Sequence, residues 1–287
     1  MKNDVFITGT SCYFPNKPVS NEDMEDFLGL ITGKHSRVKP VILKQNGIKQ
    51  RYYALTKEQK ITHTNAEMAV NSILQLLKNS DISNSEIELL SCATSSPDQM
   101  LPSHASMVHG LLKNKPLEIF SASGICLSCL QAFKTAFWGV LSGEKRNAIC
   151  STSELTSATL LSKNYDIEYE KCADLGVQPY MALEKDFLRF MLSDGASAVL
   201  LQNNPGNGKA LHVEWVEMTS YANELPTCMY MGAERKENGE LKSWKSFNNL
   251  ERTEQSLFVV KQDVKLLGAH AVPYWAKHIK YCLEKHN

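Results

Sequence analysis

The 287-residue sequence carries no net charge, with 31 lysines and arginines against 31 aspartates and glutamates. A chain with no surplus of either sign has no whole-surface attraction for nucleic acid or anionic membrane. It contains no apolar run of about 18 residues, so no transmembrane helix is expected. No apolar leader of the secretory kind follows Lys2-Asn3-Asp4. Low-complexity segments and short-period repeats are also lacking. Eight cysteines are present, but no CxxC is matched by a second pair or by histidines at finger spacing, and the spacings do not form a disulfide framework. These absences predict a reduced, cytoplasmic, soluble protein with no metal site and no bound cofactor.

What is present reads as an ordinary globular chain, 43% apolar and 22% charged, long enough for one large domain or two halves. Short apolar runs at Val5 to Thr8, Ile87 to Thr94, Leu117 to Ser121, Ala148 to Thr152 and Ala196 to Leu201 read as strands, several of them buried on both faces. Helical stretches alternate with them. Thr64-Asn65-Ala66-Glu67 forms a capping box ahead of an apolar face at Ala66, Ala69, Val70, Ile73, Leu74 and Leu77. His104 to Leu112 reads as a helix, as does Cys126 to Leu141, which ends at Gly143. Strand–helix alternation predicts an α/β fold. The turn-rich stretch Asn203 to Gly208 suggests a boundary, with one half over 1–206 and another over 207–287. In the second half Leu211 to Tyr221 reads as a long strand and Gln255 to Lys285 as a helix, kinked or interrupted at Pro273.

The segment with most chemical content runs from Phe120 to Phe133. A strand ends, the small residues Ser121, Ala122, Ser123 and Gly124 turn the chain, and an apolar helix begins at Cys126. A thiol at the positive end of a helix is favoured as thiolate, and the first-turn amides can hold a developing oxyanion. The same residue type also fits a packed, inert thiol. Cys126 and Cys129 form a lone CxxC, yet Leu127, Ser128 and the apolar helix behind them make no thioredoxin-like redox pattern.

Taken in order, several segments resemble the β-ketoacyl-acyl-carrier-protein synthase III-like condensing enzymes. Val19 to Glu25 resembles the family's opening helix, and Asn46 to Arg51 its "TGIxxR" segment. Ala93 to Asp98 with Pro102 to Ala105 resembles "ATxxPDxxxPSxA", and Leu192 to Leu201 resembles "FGDGAGAVLL". Cys126 then falls on the family's nucleophile. The resemblance implies a thiolase-like fold, two related αβ halves in five layers, with the second half incomplete here. It implies an acyltransferase and ketosynthase that forms an acyl-Cys126 thioester. That thioester is condensed with a carrier-bound malonyl-type or β-ketoacyl substrate in fatty-acid or polyketide-like synthesis. The implied partners are an acyl carrier protein or acyl-CoA, and a second copy in a homodimer.

The sequence departs from the family in three places. The family's catalytic His and Asn would follow the helix matching Gln255 to Lys285, and the eight histidines present match neither. The expectation is therefore a fragment; a separate completing polypeptide, or a non-catalytic thiolase-fold partner subunit, are the alternatives. The turn reads Ser123-Gly124-Ile125-Cys126 instead of Ala-Ala-Cys, with Ser128 where a Gly is usual. The Trp and Arg that clamp coenzyme A are replaced by Val41 and Gln45. The last change favours carrier-bound or longer acyl donors, and Glu184 to Met191 resembles the dialkylresorcinol branch. Seven basic residues between Lys34 and Lys57 with no acid among them could face an acidic carrier protein, or simply be a solvated surface.

Overall fold

The computed structural model describes residues 3–168, 170 and 186–286; Cys172 and the Glu184-Lys185 part of the branch-like segment lie outside the described residues. In chain order the strands are β1 (Phe6–Tyr13), β2 (Val19–Ser20), β3 (Gln50–Arg51), β4 (Leu89–Thr94), β5 (Glu118–Ser123) and β6 (Asn147–Glu154). They continue with β7 (Gly195–Gln202), β8 (Leu211–His212), β9 (Met229–Tyr230), β10 (Ala233–Arg235), β11 (Leu241–Ser243) and β12 (Lys261–Gln262). The α-helices used below are α1 (Met24–Leu28), α2 (Lys39–Asn46), α3 (Asn65–Lys78), α4 (His104–Leu112), α5 (Ser128–Leu141), α6 (Asn249–Glu254) and α7 (Val264–His286).

The chain divides into two compact units, each assembled from non-contiguous segments. The first comprises Met1–Val19, Arg51–Ala158 and Ser193–Val216. It holds a six-stranded sheet in the order β5-β4-β6-β7-β1-β8. Strands β5, β4 and β6 are parallel, while β7, β1 and β8 run antiparallel to their neighbours. Because side chains alternate across a strand, Leu90, Cys92, Ile149, Ala198 and Leu200 face one side and pack against α3 and α4. Leu89, Ala93, Ala148, Cys150 and Leu201 face the other and meet Ala132, Ala136, Phe137 and Val140 of α5. Helices on both faces explain why all six residues of β4 are buried. Gly139 brings α5 down onto β4: a Cβ there would lie 2.9 Å from Leu89 Cδ2.

The capping box at Thr64 forms as the sequence predicts. Glu67 N donates to Thr64 Oγ1 and Thr64 N donates to Glu67 Oε2. The long strand expected over Leu211 to Tyr221 shortens to two residues. Only Leu211 and His212 pair with β1, and after Val213 N reaches Val5 O no ladder continues.

The second unit comprises Ser20–Gln50, Thr159–Leu192 and Glu217–Asn287. It contains α1, α2, α6 and α7, the hairpin β10–β11 and the pair β12–β9. The expected helix from Gln255 begins only at Val264, because Lys261 and Gln262 are taken up by pairing with β9, and it runs through Pro273. Ile31, Tyr165 and Val259 form a small core here. Arg189 is 1% exposed and donates to the carbonyls of Leu160, Leu28 and Gly29. Leu188 and Phe190 beside it are buried. The described part of the segment resembling a family branch therefore serves packing within this unit.

Candidate active site

Parallel strands β5, β4 and β6 end at a common edge of the sheet, at Ser123, Thr94 and Glu154. In α/β sheets ligands bind outside the carboxyl ends of the strands. Three connections meet this edge. Two of them are stitched together by Glu154, whose carboxylate accepts from Ser95 N at 2.8 Å, Ser95 Oγ at 2.7 Å and Ser96 Oγ at 2.6 Å. Ser96 Oγ in turn accepts from Leu155 N at 2.8 Å.

The "PD" of the resembling motif has a mechanical role. The Asp98 carboxylate accepts from Asn65 N at 2.7 Å and Ala66 N at 2.9 Å, at the N-terminus of α3. A carboxylate there satisfies amides that lack intrahelical acceptors and suits the helix dipole. Asn65 itself donates to Thr94 Oγ1 and to the Ser96 carbonyl, both at 2.8 Å. His104, the first residue of α4, is 3% exposed with Nε2 3.0 Å from Ser153 Oγ. Burial pushes its imidazole below the ordinary value, so it is neutral at physiological pH. It is a core histidine.

The Asp of the "DGAGA" motif is also architectural. Asp194 is 2% exposed and accepts from Ala54 N at 2.7 Å, Ser157 N at 2.8 Å, Thr156 Oγ1 at 3.3 Å and Ser157 Oγ. It ties the connection after β6 to the segment following Arg51. Burial pushes its carboxyl up against the pull of these donors.

Cys126 is exposed, in the turn between β5 and α5. Its placement corrects one expectation. The helix does not begin at the cysteine: Leu127 is the N-cap and Ser128 the first helical residue. Ser128 N donates to Ile125 O at 2.9 Å, which closes a tight turn over Ile125 to Ser128. Leu130 N and Gln131 N both return to Leu127 O. The Cys126 carbonyl accepts instead from a thiol, Cys129 Sγ at 2.9 Å. The nucleophile candidate thus stands just outside the helix, as an exposed residue of the irregular turn. Ser128, in the place of the family's usual Gly, points inward and is 5% exposed.

Of the other thiols at this sheet, Cys12 is exposed too, but it lies within the β1 ladder opposite Ser197. Cys92 and Cys150 are buried, which pushes their thiols up, that of Cys150 to about 12. Cys129 is half-buried and raised for the same reason. Among the described residues no group of three or more His, Cys, Asp or Glu side chains could hold a metal ion. No helix among them is long and apolar enough to cross a membrane.

Sequence reasoning missed the clasp at Glu154, which no local pattern announces, and the bond from Cys129 to Cys126, which the three-residue spacing could have suggested. In the second unit, Val41 and Gln45 are both exposed, one turn apart on α2. The basic stretch is only partly available. Arg51 is 1% exposed, and Lys39 is paired with Glu25 at 3.1 Å. Lys34, Arg37, Lys44 and Lys49 are exposed in the second unit.

No protein-family model matches the chain. It is 28% identical over 206 residues to β-ketoacyl-[acyl-carrier-protein] synthase III of Clostridium acetobutylicum, covering 72% of this chain and 53% of that one. The enzyme of the same name from Ehrlichia canis is 30% identical over 154 residues, 54% of this chain and 44% of that one. The chain spans about half the length of these curated relatives. Among solved structures it is similar to AbyA1, a tetronic acid condensing enzyme, with a TM-score of 0.70 and 17% identity, over 98% of this chain and 74% of that one. OleA of Xanthomonas campestris matches with a TM-score of 0.53 and 19% identity, over 69% of this chain and 58% of that one. In sequence this chain is similar to β-ketoacyl-[acyl-carrier-protein] synthase III, and in architecture it has the thiolase-like fold of the condensing enzymes.

Proposed function

We propose that the chain carries the acyl-accepting part of a ketosynthase, with Cys126 as nucleophile. The observation that carries this reading is the placement of Cys126, exposed in the turn that follows β5 beyond the carboxyl ends of the parallel strands. Cys92 and Cys150 are sealed in packing, and the exposed Cys12 lies within the β1 ladder, with no such turn around it. The Cys126 sulfur attacks the carbonyl carbon of an acyl thioester, a new carbon–sulfur bond forms, and the donor's thiol leaves with a proton. A malonyl-type or β-ketoacyl carbanion then attacks the same carbonyl carbon, a carbon–carbon bond forms, and Cys126 leaves as thiolate. A covalent acyl-enzyme divides one difficult step into two easier ones.

The acyl donor is a carrier protein or a coenzyme A thioester, with the carrier favoured. The exposed pair at the clamp positions, Val41 and Gln45, offers no flat ring and no guanidinium, and exposed Lys34, Arg37, Lys44 and Lys49 suit an acidic carrier. A second copy fits the first unit at its β5 edge. That strand has a partner on one side only, and Leu127, Leu130 and Trp138 of the adjoining turn and helix are exposed. The cytoplasm, where thiols stay reduced, agrees with the seven free cysteines among the described residues.

The test is intact-protein mass spectrometry after incubation with acyl-CoA and acyl-carrier donors. An adduct that maps to Cys126 and vanishes in Cys126→Ala supports the reading. No adduct with any donor rejects it and leaves a non-catalytic thiolase-fold subunit.

A further inference from the structure

The CxxC at the start of α5 has a geometry that the condensing reaction does not use. Cys126 is exposed and Cys129 half-buried, and the Cys129 thiol donates back to the carbonyl of Cys126 at 2.9 Å. The side chain of Cys129 is therefore already turned toward the residue that bears the open sulfur. Burial raises the Cys129 thiol, in keeping with its role as the donor in that contact.

A disulfide needs its two Cβ atoms about 3.5–4.5 Å apart, closer than the roughly 5–6 Å of residues three apart within a helix. Cys126 is not held at that helical spacing because it lies before the N-cap Leu127. No intrahelical backbone hydrogen bond has to break; the bond lost is the contact from Cys129 Sγ to Cys126 O. The other thiol near Cys129 is Cys150, whose Sγ lies 4.0 Å from the Cys129 carbonyl. It is fixed within β6 and buried.

We propose that Cys126 and Cys129 form a reversible disulfide under peroxide, which takes the open sulfur out of use and shields it from irreversible oxidation. In the first step the Cys126 thiolate attacks hydrogen peroxide, a sulfur–oxygen bond forms, the oxygen–oxygen bond breaks, and hydroxide leaves and takes up a proton. In the second step the Cys129 sulfur attacks the Cys126 sulfenic acid. The sulfur–sulfur bond forms, the sulfur–oxygen bond breaks, and water leaves with the Cys129 proton. The thiol pair loses two electrons and the peroxide is reduced to two waters. Without a resolving thiol, a sulfenic acid under continued peroxide goes on to sulfinic acid, which ordinary thiols do not reverse. That the lock silences acyl loading rests on the function proposed above; the disulfide itself does not.

Both cysteines fall in one tryptic peptide, Asn114 to Lys134, and Cys150 falls in another. The full chain is treated with hydrogen peroxide, alkylated with iodoacetamide, digested without reductant and analysed by mass spectrometry. The expected result is that peptide lighter by two hydrogens and unalkylated, with both alkylations restored by dithiothreitol. Cys129→Ser, with folding checked by circular dichroism, should give Cys126 sulfinic acid that dithiothreitol does not reverse. A parent chain in which Cys126 becomes sulfinic while Cys129 stays alkylatable overturns the proposal, as does a disulfide between Cys129 and Cys150. Acyl loading is read on the same samples. A chain that forms the disulfide yet takes no acyl group from any donor upholds the thiol pair and removes the ketosynthase reading.

Discussion

Replacing Asp194 with alanine tests whether the motif around it is architectural. Its carboxylate accepts two buried backbone amides, Ala54 N and Ser157 N, and two hydroxyls, of Thr156 and Ser157. Hydroxyls can rotate to other acceptors, but the amides cannot. A buried donor left without an acceptor costs about 1–3 kcal/mol, so the two amides together cost about 2–6 kcal/mol. Removing a carboxylate that burial itself disfavours offsets part of this. A net loss of about 2–4 kcal/mol is expected for Asp194→Ala. Asp194→Asn, which keeps one acceptor oxygen, should lose about half as much. The assay is urea unfolding followed by far-ultraviolet circular dichroism. Hydrogen exchange should show faster exchange at the amides of Ala54 and Ser157 than at those of β4. A variant within about 0.5 kcal/mol of the parent, the range of ordinary surface substitutions, would refute the reasoning. Asp194 would then owe its place to something other than these bonds.

Two further outcomes follow from the site and its surroundings. Burial lowers the His104 pKa, so the unfolded chain takes up a proton below pH 6.5 while the folded chain does not. Stability should fall as pH drops through the interval just below 6.5, and His104→Gln should flatten that slope in urea titrations; an unchanged slope would contradict a buried neutral imidazole. Reversing Arg37, Lys44 and Lys49 to glutamate should weaken carrier-protein binding at low salt and reduce its salt dependence. Equal affinity in parent and variant would reject docking at this face.

Local chemistry announced itself where a segment makes its own bonds. The capping box at Thr64 needs only Thr64 and Glu67, and the helix over His104–Leu112 was legible with its bounds. The β4 run was legible because burial on both faces removes every polar residue larger than Ser or Thr. Where an element needs a distant partner, local pattern misled. Residues after His212 look strand-like but find no neighbouring ladder, and Lys261–Gln262 leave the expected helix because β9 claims their backbone groups. The ordered motifs indicated a condensing enzyme's fold and singled out Cys126. Only tertiary structure decided that Asp98 and Asp194 spend their carboxylates on backbone amides, since those amides lie about 30 to 140 residues away in the chain. Only tertiary structure separated the thiols too. Eight cysteines are alike as letters, but packing of the sheet against α3 and α4 seals Cys92, packing against α5 seals Cys150, and the turn after Ser123 leaves Cys126 exposed. Burial depends on what the rest of the chain brings to a residue, and that is a property of the fold.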